Sequence, residues 1–399
     1  MEAVLDGAGV CLTRKASATY TPAEFCTQFR MSEFLFDRIH DSIKDPEHGS
    51  PLFMGHSDAV GRKASSSLQR MISVLKQLAY GTCANANSDY TGVRKKLGRE
   101  CLYEFCEFII KRFGPEYLGK WDKQEMLDEL AANEKRGFPG MIGSIDCCHW
   151  VWHRCPIAWQ GMYQDRNHKR SIVVEAIAGH DTCFSQAFVG LPDSLNDINI
   201  MGRTDLRKRF EESHAIEHVF SLDGEEFTGA YLLADGIYPP FPYLMKTISM
   251  PVNAKLRLFA KMQEGVRKDV ERAFGRLHGK WHILKFPGMC NKVEHLNAIW
   301  LCCIILHNMT LRDQLTKEHE RTHVTVYPAS VAAMSDIGNM EPVRDAAFFE
   351  AHSAAAIMAR RRRMEDSEEC QHKQRMLVEH VHRHLNPPPP PLVPSPPSV

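Results

Sequence analysis

At 399 residues the chain has room for two or three domains, at roughly 100–200 residues each. Its 49 Lys plus Arg balance 49 Asp plus Glu, so net charge points to no class of partner and only the distribution of charge is informative. The 13 cysteines include no C-x-x-C pair, and the neighbours Cys147/Cys148 and Cys302/Cys303 suit neither a disulfide framework nor a zinc site; reduced thiols in an intracellular compartment are expected.

Residues 1–24 are small and polar and are expected to be loose. The opening MEAVLDGAGVCLTRKAS has no long apolar stretch, so no secretory signal is expected. The best apolar run, Leu296–Leu306, is about half the length that spans a bilayer; it reads as a buried helix, and no membrane is expected among the partners.

Residues 25–135 read as a helical region. MSEFLFDRIHDSI has helical spacing through Phe34, Leu35, Ile39 and Ile43, and a loop rich in Pro, Gly, Ser and Asp follows over 45–64. Ser66–Ala79 carries Leu68, Met71, Ile72, Val74, Leu75 and Leu78 on one broad face, with Gly81 as its stop. A short helix over 84–93 and a last one after Gly98, ECLYEFCEFIIKRFG, complete a helix-turn-helix-like segment over about 65–113. Arg94, Lys95, Lys96 and Arg99 cluster where the turn meets the last helix, the end that a DNA-reading helix presents to the groove. A plain helical bundle with a solvated basic edge fits the same pattern.

The period changes after Phe138. MIGSID, SIVVEAIAG, CFSQAFVG and AYLLAD are short β-branched or aromatic runs bounded by Gly, Pro and Asp, and read as strands. Helices are expected over 255–285 and 294–314, which makes 136–315 an α/β or α+β domain. Residues 316–399 form a tail: Ala346–His384 is a charged helix-like stretch holding four arginines at 360–363, and NPPPPPLVPSPPSV is polyproline. The arginines fit a nuclear-import signal or a solvated basic patch.

Four acids stand out by context. Asp146 ends GSID, Asp197 sits in PDSLNDINI just past a strand, Asp235 ends AYLLAD, and Glu271 lies in QEGVRKDVERAFGRL. Strand-end carboxylates are held by a rigid sheet while their tips reach solvent. Crowded carboxylates repel unless cations neutralise them, and an all-oxygen set prefers Mg²⁺ or Mn²⁺. Two such ions suit an in-line phosphoryl displacement, so the pattern points to phosphodiester chemistry. On a helical wheel Val266, Val270, Ala273, Phe274, Leu277, Trp281 and Leu284 share a stripe, with Glu271 at its edge. A boundary salt bridge fits Glu271 as well as catalysis does. Asp269 lies on the other flank, three residues before Arg272, and reads as half of a surface ion pair. Lys268, Arg272 and Arg276, with Lys280 beyond them, make this helix basic, which fits a phosphate-bearing substrate; a solvated amphipathic helix fits the same pattern. His278 and His282 are spaced i, i+4 but lack the Glu of H-E-x-x-H, so no zinc hydrolase is expected. His149 either lines the site or packs in the core; Trp150, Trp152 and Trp159 suit stacking on bases or core packing, and core packing is the expected use.

GFPGMIGSIDCCHWVWHRCPIAWQGMY resembles the first-aspartate block of plant-type PIF/Harbinger transposases. SIVVEAIAGHD, LPDSLNDINIMGRTDL, YLLADGIYPPFPYLMKTIS, FAKMQEGVRKDVERAFGRLHGKWHIL and LNAIWLCCIILHNM follow in that family's order, and FRMSEFLFDRI, LKQLAYGTCANANSDY and IIKRFGPEYL resemble its N-terminal helices. The resemblance covers about 25–315. It implies an RNase H-like D-D-E nuclease core with a helix-turn-helix before it. It implies catalytic Asp146, Asp235 and Glu271, with Asp197 as a further metal ligand. There are 35 residues between Asp235 and Glu271, a spacing familiar in D-D-E enzymes. Asp193 stands where the family's P-G-S has Gly, a departure that touches the Asp197 loop. The implied function is two-metal nicking of DNA at transposon ends, with joining of the 3′-OH to target DNA. The implied partners are DNA, a Myb/SANT-like accessory protein and further copies of the chain, and the implied compartment is the nucleus. The rival reading is a domesticated DNA-binding or scaffold protein without catalysis.

Overall fold

Local capping signals set several helix ends in the computed structural model, which describes residues 20–54, 64–119, 123–164, 168–192, 218–236, 238, 241, 243–321 and 367–385. In chain order the elements are α1 (Pro22–Phe29), α2 (Glu33–Ile43), α3 (Ser67–Tyr80), α4 (Ser88–Thr91), α5 (Lys95–Tyr117), α6 (Lys123–Lys135), β1 (Met141–Val151), α7 (Gln160–Tyr163), β2 (Ser171–Ala178), β3 (Phe184–Pro192), β4 (Val219–Leu222), β5 (Glu225–Thr228), β6 (Tyr231–Ala234), β7 (Leu244–Lys246), α8 (Ala254–Lys280), α9 (Val293–Arg321) and α10 (Ser367–Leu385). Capping boxes of Thr21 with Glu24 and Ser66 with Gln69 open α1 and α3. Gly81 closes α3 with φ 67°, and a Cβ there would also overlap the Phe286 ring.

The helices depart from expectation in places. Phe34 is 68% exposed, and Phe36 takes the core position on α2. α5 begins at Lys95, ahead of Gly98 rather than after it, so Gly98 lies inside the helix at a point of close approach. Its missing side chain leaves room for Ala84, and Gln77 of α3 donates to its carbonyl at 3.1 Å. The helix expected to reach 285 stops at Lys280 and tightens into a 3-10 turn over His282–Lys285, with its apolar stripe buried throughout.

The chain is a mixed α/β protein. Its five-stranded sheet has the order β3-β2-β1-β6-β7, with β2 and β3 antiparallel and β1, β6 and β7 parallel; β4 and β5 form a separate hairpin. β1 is longer than MIGSID and continues to Val151, so Asp146 lies inside the strand. The described elements divide between two compact units. One holds α1–α5, β1 from Asp146, α7, β2, β3, α8 from Val270 and α9. Its core joins residues such as Phe105, Phe113, Ile172, Phe274, Trp281 and Trp300. The other holds α6, β1 up to Ile145, β4–β7, α8 up to Asp269 and α10. Leu377, Val378 and Val381 of α10 are buried there with Phe138, Phe220, Met245 and Phe259, so the charged C-terminal helix carries an apolar face. All described cysteines are free thiols, and among the described residues no helix is long and apolar enough to cross a membrane.

Candidate active site

β1 supplies Asp146. The strand pairs in parallel with β6 at Met141↔Tyr231 and Ser144↔Leu233, with an irregularity between that coincides with Gly143 at φ 149°. Ile142 and Ile145 are buried, whereas Asp146 is half-buried, and its Oδ1 accepts from the Cys147 N–H at 2.9 Å. Burial first, and the charge of Asp146 second, push the Cys148 thiol up to about 11, so it stays protonated and offers no thiolate beside the carboxylate. Asp235 follows β6, whose four residues are all buried, and is itself half-buried. Its Oδ1 accepts from the Gly236 N–H at 2.5 Å, which orients the carboxylate in the turn leaving the sheet.

A residue that sequence reasoning missed fixes the end of β6. Gln263 of α8 is fully buried and donates through Nε2 to the carbonyls of Ala234 at 3.1 Å and Met245 at 3.2 Å. It therefore ties the helix to β6 and β7 one residue before Asp235. The signal was present: Phe259, Gln263, Val266 and Val270 are spaced as one helical face, and a lone amide among apolar residues has to find partners.

Glu271 is exposed on α8, between buried Val270 and Ala273. Asp269 is the opposite case and corrects an expectation, because its ion pair is buried rather than on the surface. Its carboxylate is 1% exposed and meets Arg136 at 2.7 Å. Arg136 also donates to Asn133 Oδ1 at 2.9 Å, and Asn133 donates to the Met141 carbonyl at 3.1 Å at the start of β1. Asp197 and the arginines at 360–363 lie outside the described residues.

Arg94 is the N-cap of α5, Lys95 and Lys96 lie in its first turn, and Arg99 follows; all four are exposed. The helix dipole disfavours cations there, and the one offset among the described residues is a weak, exposed i, i+4 pair of Lys96 with Glu100 at 3.9 Å. Lys268, Arg272 and Arg276 are exposed at i, i+4, i+8 along α8, and the Arg276 guanidinium also bonds to Thr182 Oγ1 and the Asp181 carbonyl. Lys280 is set apart from this row. Its ammonium donates to Thr310 Oγ1, and burial, with Arg276 the next largest cause, lowers its pKa to about 8. His149 is exposed, which removes the packed reading, whereas Trp150 and Trp152 are buried and donate to the carbonyls of Phe286 and Cys290, each at 2.7 Å.

Asp146, Asp235 and Glu271 offer only oxygen donors, which fits a hard divalent cation in chemistry. Among the described residues, no group of three or more His, Cys, Asp or Glu is gathered to hold a metal ion. Fold and side chains define an α/β protein with solvent-reaching acids on a sheet and on a long, basic helix. The chain belongs to the plant transposon protein family, which matches residues 115–318, and is thus a transposon-derived protein. No curated protein and no solved structure matches it.

Proposed function

We propose that this transposon protein is a divalent-metal-dependent DNA nuclease, a transposase of the PIF/Harbinger type with an RNase H-like D-D-E core. The observation that carries the reading is that the plant transposon match over 115–318 contains Asp146, Asp235 and Glu271 together. The mixed sheet with β1 in its middle is compatible with such a core. Each aspartate also comes two residues after a parallel register partner, Ser144 or Leu233, where backbone pairing holds a carboxylate steady.

In this reading Asp146, Asp235 and Glu271 would hold Mg²⁺ or Mn²⁺, with Asp197 as a fourth ligand. A bound pair of such ions supplies the positive charge that lets carboxylates crowd, lowers the pKa of an attacking water and stabilises the leaving oxygen. Lys268, Arg272 and Arg276 hold backbone phosphates without reading sequence. Arg94, Lys95, Lys96 and Arg99 engage DNA from the helix-turn-helix-like segment, which supports recognition of transposon ends. The protein nicks DNA there and joins the 3′-OH to a target, in the nucleus, as a homo-oligomer working with a Myb/SANT-like accessory protein.

The test uses the full chain and duplexes selected for binding from a random-sequence library. Nicking is measured in Mg²⁺, Mn²⁺, Ca²⁺ and chelator. The expected result is cutting with Mg²⁺ and Mn²⁺, binding with little cutting in Ca²⁺, and none in chelator. Cutting that persists in chelator rules out the metal mechanism. Firm binding without cutting in any metal favours a domesticated DNA-binding protein.

A further inference from the structure

A pocket of about 350 Å³ opens in the first unit, at the lower end of small-ligand sites, which run to about 300–1,000 Å³. β1 lines it with His149, Trp150 and Val151, α8 with His278, and the segment after α8 with Lys285 and Phe286. The walls are held in place. Trp150 Nε1 donates to the Phe286 carbonyl at 2.7 Å, and its ring meets Trp300 edge-on at 5.9 Å. Gly288 N–H donates to the Val151 carbonyl at 2.7 Å, and His153 N–H donates to Gly288 at 3.0 Å, which clamps the segment after α8 to the end of β1. Phe286 is 53% exposed and Val151 37% exposed, so two apolar surfaces face solvent at a preformed opening.

The polar groups are few and differ in kind. His278 is half-buried, edge-on to Trp300 at 5.5 Å. Burial first, then Lys285, lowers its pKa and keeps its imidazole neutral, with one donor and one acceptor nitrogen. His149 and Lys285 are exposed at the mouth. Flat apolar walls, a neutral donor–acceptor edge and a cation outside match a nucleobase with its phosphate.

Position adds a second argument. His149 is three residues beyond Asp146 on β1, an odd offset that puts the two on opposite faces of the strand, so the strand itself does not link the pocket to that acid. His278 is seven residues beyond Glu271 on α8, two turns on the same face and about 10 Å. Along α8, then, the pocket lies about two helical turns from the exposed carboxylate of Glu271, on the same helix face. A DNA strand covers that distance in a few nucleotides.

We propose that this pocket receives one unstacked nucleobase of the strand being cut, a few nucleotides from the scissile phosphate. Phe286 and Val151 lie against the face of the base, the imidazoles meet its edge, and Lys285 meets the adjoining phosphate. The proposal rests on the DNA-cutting reading and deepens it. Extruding a base costs unstacking energy, which is least where the base is already mismatched.

The test places 2-aminopurine at each position in turn of a duplex selected for binding to the full chain, in Ca²⁺. Fluorescence is expected to rise several-fold at one position, and a mismatch there is expected to tighten binding. Val151→Phe, which fills the mouth from an exposed position, and Phe286→Ala, which removes the stacking ring, are expected to abolish the rise while keeping most duplex affinity. A rise of equal size in both variants, or brightening at no position, overturns the pocket. Metal-dependent cutting without brightening leaves the nuclease reading standing and defeats the pocket alone. Brightening at one position with no cutting in Mg²⁺ or Mn²⁺ defeats the nuclease reading and supports a base-binding pocket.

Discussion

Asp269 and Glu271 stand two residues apart on α8, and the helix turns them toward different surroundings. Asp269 is buried and paired with Arg136 within a network that reaches Asn133 and the Met141 carbonyl. Glu271 is exposed at the edge of a buried apolar stripe. One carboxylate is committed to holding the helix to α6 and β1, whereas the other lies where a ligand can reach it. The difference teaches that an acidic residue's sequence neighbours do not define its use; what decides is which flank of the stripe it occupies and what the fold brings there.

The largest stability effect separates the two acids. Asp269→Asn removes the charge that meets Arg136 at 2.7 Å, while Glu129 stays near the guanidinium, and is expected to cost about 1.5–3 kcal/mol in urea unfolding. Glu271→Gln, at an exposed position, is expected to stay within about 0.5 kcal/mol of the wild type. Equal losses for the two substitutions break the comparison.

Lys280, at the other end of α8, sharpens it, because it is a half-buried cation held by the Thr310 hydroxyl. Its folded pKa of about 8 lies below its ordinary value of 10.5, so between those values the unfolded chain binds more protons. Stability from this group is therefore full above pH 10.5 and lost as pH falls through 8. Lys280→Met is expected to raise stability at pH 7 by about 2 kcal/mol and to flatten the rise from pH 8 to 10.5. Urea unfolding at pH 7, 9 and 10.5 reads both, and a variant with the wild-type slope contradicts the assignment.

The smallest stability effect belongs to the cations at the start of α5. Replacing Arg94, Lys95, Lys96 and Arg99 with Ala is expected to change stability by only a few tenths of a kcal/mol, in the stabilising direction, because the helix dipole opposes them. DNA affinity should weaken and its log–log salt slope should flatten by as much as about 3.6, if all four meet phosphates. An unchanged slope removes them from the DNA interface.

Where signals were local, the sequence was a good guide. Ser66, Gln69 and Gly81 bound α3, and the runs over β2, β3 and β6 are strands. The hairpin of β4 and β5 went unread although Asp223-Gly224 is a strong turn signal, and both residues adopt positive φ, 53° and 90°. β1 beyond Asp146 lacks clean alternation, which hid its continuation through Cys147, Cys148 and His149. The burial of Asp269 was invisible because Arg136 is 133 residues away. The docking of α10 was hidden by its Glu, Lys and His content, which masks the i, i+4 pair Leu377 and Val381. At the candidate site, Asp235 was legible as a strand-end residue and Glu271 as a helix-edge one, whereas the place of Asp146 inside β1 and the support that Gln263 gives to β6 required the structure.

The most direct measurement is nicking of a selected duplex in Mg²⁺ by the wild type and Glu271→Gln at matched folded concentration, with binding followed in Ca²⁺. Removing one carboxylate charge is expected to lower the cleavage rate on the order of 10³-fold or more, since metal-ion catalysis supplies several kcal/mol, while DNA affinity and unfolding stay near wild type. A Glu271→Gln protein that binds and cuts like the wild type contradicts the assignment of Glu271 to the active site.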